Sequence, residues 1–108
     1  MIPATTVRRV CLVHHRIDFR LGHDGLLGES YRLGLRPYDG DLIIFVGRRL
    51  KSLKLLLCDG SGLWVLYKKF QGRSLRKQFR FLSDGGTSTV SLAEVSLLLE
   101  GTRYTIHK

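Results

Sequence analysis

GRRLKSLKLLLCDGSGLWVLYKKF, residues 47–70, places two apolar runs about a glycine-bearing turn and gathers its cations away from that turn. The DGSG centre supplies the glycines that tight hairpins use for positive φ. With Gly60 and Ser61 at the tip, Cys58 opposes Leu63, Leu57 opposes Trp64, Leu55 opposes Leu66 and Leu53 opposes Lys68. Side-chain alternation then sets Leu53, Leu55, Leu57, Trp64 and Leu66 on one face, the expected core. The other face carries Lys54, Leu56, Cys58, Leu63, Val65, Tyr67 and Lys69, apolar beside the turn and cationic away from it. A slip of one residue would exchange the faces. It would leave Arg48, Arg49, Lys51, Lys68 and Lys69 at the same end of the sheet.

Upstream of the hairpin, DLIIFV (41–46) is short, apolar and β-branched, a buried strand entered from a turn at Pro37, Asp39 and Gly40. VRRVCLVH (7–14) suits a first, partly buried strand. Between them GHDGLLGESYRLGL (22–35) reads as a helix capped by Asp24, with Leu27 and Tyr31 at i, i+4, Leu26 and Leu33 alongside, and Gly28 weakening it. Downstream, QGRSLRKQFRF (71–81) reads as an exposed loop leading into a short strand at 79–82, and SDGGTST (83–89) as a turn. Ser91 followed by Glu94 is a capping box for a helix with Leu92, Val95, Leu98 and Leu99 at helical spacing, closed by Gly101. The expected architecture is a single α+β domain over 1–108, an antiparallel meander or curved sheet with two short helices. A small open barrel with a C-terminal helix is the alternative.

Charge says most about function. Residues 47–80 hold Arg48, Arg49, Lys51, Lys54, Lys68, Lys69, Arg73, Arg76, Lys77 and Arg80 against Asp59 alone, while the rest of the chain balances eight cations with eight carboxylates. The whole excess of +9 therefore sits in one third of the 108 residues. A surface kept basic for solubility would spread it, so a binding patch for an anionic partner is expected. Apolar residues at 44% and charged ones at 25% are ordinary globular proportions, and no apolar run nears the roughly 18 residues of a membrane span. The N-terminus carries no signal-peptide pattern, and a cytosolic setting is expected.

Catalytic chemistry finds little support. DGSG lacks the following Lys of a phosphate-binding loop and reads as a turn. Cys11 and Cys58 lie in apolar runs and read as core side chains. His14, His15, His23 and His107 do not reach metal-ligand spacing, and His14 and His15 should face opposite ways on a strand. Asp18, Asp24, Asp39 and Asp41 read as capping and turn residues in preference to a metal-dependent nuclease set. The chain has no Asn, which removes nuclease motifs built on a His-Asn-His set. No cofactor, metal or enzymatic activity is expected.

Several short motifs, in order, carry a resemblance over nearly the whole chain. They are Asp18, Arg20, Gly22, Asp24, Gly25 and Leu26 in DFRLGHDGL; Phe45, Gly47, Arg48 and Arg49 in FVGRR; Lys54, Asp59, Gly60 and Gly62 in KLLLCDGSG; Lys68 or Lys69 in YKKF; and 98–101 in LLEG. In these the chain resembles the TnpB-type accessory protein of the insertion sequence 66 transposase family, the product of that element's second open reading frame. The resemblance implies a non-catalytic, bacterial transposition factor, associated with the nucleoid, that assists a separate transposase. On that reading Arg48, Arg49, Lys51, Lys54, Lys68 and Lys69, with the loop cations Arg73, Arg76 and Lys77, would contact DNA phosphates. Asp18, Arg20, Gly22, Asp24, Gly25, Asp59, Gly60 and Gly62 would form structural or partner-facing motifs. Asp18 and Arg20 either pair with each other or orient a loop against the transposase. The rival reading is an adaptor whose cationic end docks an acidic surface of the transposase without binding DNA by itself, and self-association is left open.

Overall fold

A computed structural model describes residues 7–71 and 85–100, the side chains of 98–100 excepted. The order is β1 (Arg9–Ile17), α1 (His23–Arg32), a 3-10 turn (Pro37–Asp39), β2 (Asp41–Gly47), β3 (Ser52–Cys58), β4 (Leu63–Lys69), β5 (Thr87–Val90) and α2 (Leu92–Glu100). The strands form one sheet in the order β4-β3-β2-β1-β5. The α+β class holds, but the sheet is mixed. β2, β3 and β4 form the expected meander, whereas β1 lies parallel to β2, with α1 making the crossover that parallel neighbours require.

The β3–β4 register is the one expected, Cys58 against Leu63 through Leu53 against Lys68. Its consequence for burial differs, because the sheet is covered on both faces. Leu53, Leu55 and Leu57 join Val10, Leu12, Leu42, Ile44, Val46 and the α2 residue Val95 in one core. Leu56, Ile43, Phe45, Cys11, Val13 and Ile17 join Leu26 of α1 in a second. Strand β2, central and buried at every position, therefore reads as an apolar run from Leu42 to Val46 after Asp41. Trp64, expected in the core, lies on the edge strand and is 43% exposed. Cys11 and Cys58 are buried free thiols.

Helix α1 begins one residue before Asp24: Gly22 is the N-cap, without a side-chain cap, and Asp24 is an exposed first-turn acid that favours the positive helix end. Its buried face is Leu26 and Ser30, whose hydroxyl donates to the Leu26 carbonyl at 2.8 Å, while Tyr31 is 49% exposed. The helix closes in a Schellman motif at Gly34, φ +77°, where the Gly34 amide donates to the Tyr31 carbonyl and the Leu35 amide to that of Ser30. The capping box of α2 forms as read: the Ser91 amide donates to Glu94 Oε1 and the Glu94 amide to Ser91 Oγ, both at 3.1 Å.

Part of SDGGTST is a strand. Gly85 and Gly86 have positive φ, but Thr87–Val90 pairs antiparallel with β1 at the sheet edge. Only four residues long and rich in Ser and Thr, β5 carries too little apolar alternation to announce itself. The loop and short strand expected over 72–82, and the closing Gly101, lie outside the described residues. Among the described residues no helix is long and apolar enough to cross a membrane.

Candidate nucleic-acid interface

Parallel pairing of β1 with β2 brings both C-terminal ends to one end of the sheet, where β3 begins and β4 finishes. A cleft of about 370 Å³ opens there, between Asp18 and Phe19 after β1, the Arg48–Arg49 turn after β2, Lys51 and Ser52 leading into β3, and Tyr67 and Lys69 on β4.

The Arg48–Arg49 turn is built to face outward. The Leu50 amide donates to the Gly47 carbonyl at 3.0 Å, and Leu50 adopts φ +55° although it is not glycine. Left-handed backbone costs a branched side chain about 1–2 kcal/mol. Leu50 is 2% exposed in the core shared with Leu53 and Val46, and burial of that side chain offsets the strain. With Leu50 anchored inward, Arg48 and Arg49 occupy the exposed tip. Gly47 is dictated by packing: a Cβ there would lie 2.8 Å from Ser52 Oγ and 3.2 Å from the Phe19 ring.

Lys51 and Lys69 complete the cationic wall, both exposed. Lys68 leaves from the other face of β4, and its ammonium sits 5.3 Å from the Phe70 ring centroid. Lys54 departs from expectation. Its Nζ donates to the Phe19 carbonyl at 2.8 Å and the Leu21 carbonyl at 3.0 Å, and lies 5.1 and 5.8 Å from the Phe19 and Tyr67 ring centroids. It holds the loop after β1 and is not presented as a phosphate contact. Arg73, Arg76 and Lys77 lie outside the described residues.

Asp18 and Arg20 pair with each other. Arg20 Nη2 donates to Asp18 Oδ2 at 2.6 Å, Nε reaches both carboxylate oxygens, and the Arg20 amide donates to Oδ1 at 3.0 Å. The Arg20 side-chain hydrogen bonds, then its amide, with a smaller contribution from the Arg48 charge, bring the Asp18 carboxyl down to about 2. Asp18 therefore stays ionised at neutral pH and is poorly matched to proton transfer. Gly25 lets α1 close against Leu21, whose Cδ2 would lie 2.8 Å from an added Cβ.

The DGSG turn is at the opposite end of the hairpin. Asp59 Oδ1 accepts from the Ser61 amide and hydroxyl and the Gly62 amide, and Oδ2 accepts from Trp64 Nε1 at 2.7 Å. Gly60 takes φ +91°. The indole hydrogen bond, followed by those from Ser61, lowers the Asp59 carboxyl to about 2.

Sequence reasoning placed Arg16 in the neutral remainder. Because β1 runs parallel to β2, Arg16 comes to the cationic end, where its Nη1 donates to the Arg48 carbonyl at 3.3 Å. Phe19 and Tyr67, edge-to-face with centroids 5.9 Å apart, were also missed as cleft walls. The alternation of β4 placed Tyr67 on the same face as Lys69, a signal that could have found it. At the opposite, N-terminal end of β1 and β2, two arginines share one carboxylate: buried Asp41 accepts from Arg9 Nε at 2.7 Å, Arg8 Nη2 at 3.2 Å and the Arg36 amide at 2.8 Å. Among the described residues no group of three or more His, Cys, Asp or Glu side chains could hold a metal ion.

These features define a small α+β domain with a cation-walled cleft at one sheet end. Residues 8–108 match the family described as IS66 Orf2 like protein, and the chain belongs to that family of transposition accessory proteins. It is 34% identical over 103 residues to uncharacterized protein y4hO of Sinorhizobium fredii, covering 94% of this chain and 86% of that one. It is 31% identical over 106 residues to uncharacterized protein y4jC of the same organism, covering 97% and 88%. No solved structure matches the chain.

Proposed function

We propose that the protein is a non-catalytic transposition factor that binds DNA phosphates at its cationic sheet end and assists a separate transposase of the same element at the bacterial nucleoid. One observation carries this reading: Arg48, Arg49, Lys51 and Lys69 line a single cleft whose one carboxylate among the described residues, Asp18, is already matched by Arg20. Phosphate contacts of this kind confer affinity and salt dependence with little sequence discrimination.

A mobility-shift titration at low salt tests it, with duplex and single-stranded DNA in parallel. Retardation at micromolar protein is expected. Arg48→Ala with Arg49→Ala should flatten the slope of log affinity against log salt by about two. An unchanged slope would place the contacts elsewhere. No retardation of either form of DNA would refute direct binding and assign the same cations to an acidic surface of the transposase.

A further inference from the structure

The size and lining of the cleft bear on the form of DNA it would take. At about 370 Å³ it lies at the small end of ligand-sized pockets, a size that suits a single nucleotide. Its aromatic wall is both exposed and braced. Tyr67 is 59% exposed, yet its ring meets Phe19 edge-to-face and the Lys54 ammonium, itself fixed by the Phe19 and Leu21 carbonyls. An aromatic ring held beside a cationic track is the arrangement by which proteins take single strands, the ring stacking on a base and the cations following the backbone. A duplex keeps its bases stacked inside and leaves such a ring without a base face to meet.

We propose that the cleft takes one unpaired nucleotide of DNA, its base against Tyr67 and its phosphates between the Arg48–Arg49 turn and Lys69. The protein thereby prefers single-stranded or frayed DNA to closed duplex. This inference rests on the cationic end being a DNA surface. Lys54 acts as a positioning residue, orienting the ring without reaching the phosphates.

Fluorescence anisotropy of the full chain tests it, using a labelled homothymidine strand of about ten nucleotides and a hairpin duplex whose loop is a base-free glycol linker, with the same number of phosphates. The unmodified protein should bind the strand more tightly. Tyr67→Ala should weaken strand binding about 5- to 100-fold and leave the hairpin affinity and both salt slopes unchanged, because stacking releases no counterions. Tyr67→Phe should retain the preference. Equal or tighter hairpin binding by the unmodified protein, or full strand affinity in Tyr67→Ala, overturns the inference while leaving phosphate binding intact. Failure to bind either probe overturns both.

Discussion

Lys54 reaches from the middle of β3 to the carbonyl oxygen of Phe19, 35 positions earlier, at 2.8 Å. The contact ties the loop that follows β1 to the central meander, and Leu21 supplies a second carbonyl. Lys54→Met keeps the aliphatic stem and removes the donor, leaving both carbonyls to water or to nothing. A loss of about 1–2 kcal/mol in urea unfolding is expected. Lys54→Arg should recover part of it, since a guanidinium can still donate to two acceptors.

Asp41 gives the fold a defined acid sensitivity. Burial alone would raise its carboxyl, but the hydrogen bonds from Arg9, the Arg36 amide and Arg8 outweigh burial and bring it down to about 2. A carboxyl depressed on folding stabilises the protein above its unfolded value and loses that contribution as pH falls through the folded one. The window thus runs from near 3.8 down to about 2. Arg8 and Arg9 remain 58% and 41% exposed, so screening limits the contribution to about 1–2 kcal/mol. Urea titrations above and within this window should show that the Asp41→Asn variant lacks this part of the acid loss.

Asp59 and Trp64 offer an optical reading of the turn. Trp64 is the chain's sole tryptophan, and its indole donates to Asp59 Oδ2. Protonation of Asp59, whose carboxyl sits at about 2, should shift the tryptophan emission as pH falls from 3.8 toward that value. Asp59→Ala should show the shifted emission at neutral pH and no further step over this range.

Two glycines should respond in opposite directions. Gly47→Ala forces a Cβ against Ser52 Oγ and the Phe19 ring and should cost about 1–3 kcal/mol, partly restored by Ser52→Ala. Gly28 lies exposed inside α1, where an added Cβ would meet nothing within 4 Å. Gly28→Ala should stabilise the protein by about 0.5–1 kcal/mol. Thermal unfolding of both variants measures the contrast.

The hairpin register and the α2 cap were legible because each is a local pattern: alternation about DGSG fixes one, and Ser91 with Glu94 fixes the other. The direction of β1 was not, since parallel and antiparallel neighbours bury the same residues of VCLV. That single unknown hid the arrival of Arg16 beside Arg48. The apolar count around Leu26 and Leu27 did not choose the buried face of α1 either, because Ser30 satisfies its hydroxyl within the helix and can be buried at little cost. Lys54 looked like its cationic neighbours because the carbonyls that hold it belong to residues distant in sequence.

The parallel pairing also governs the order in which the chain can assemble. Strands β2, β3 and β4 meet their partners through short connections, whereas β1 finds Asp41 only 32 positions on and, through His14, Ser88 only 74 positions on. Loop-closure entropy favours the near pairings first and makes the distant ones slow. Strand β1, which leaves the ribosome before β2, is therefore among the last to be fully flanked. The cationic cleft, which needs the end of β1 as one wall, matures only when that strand docks.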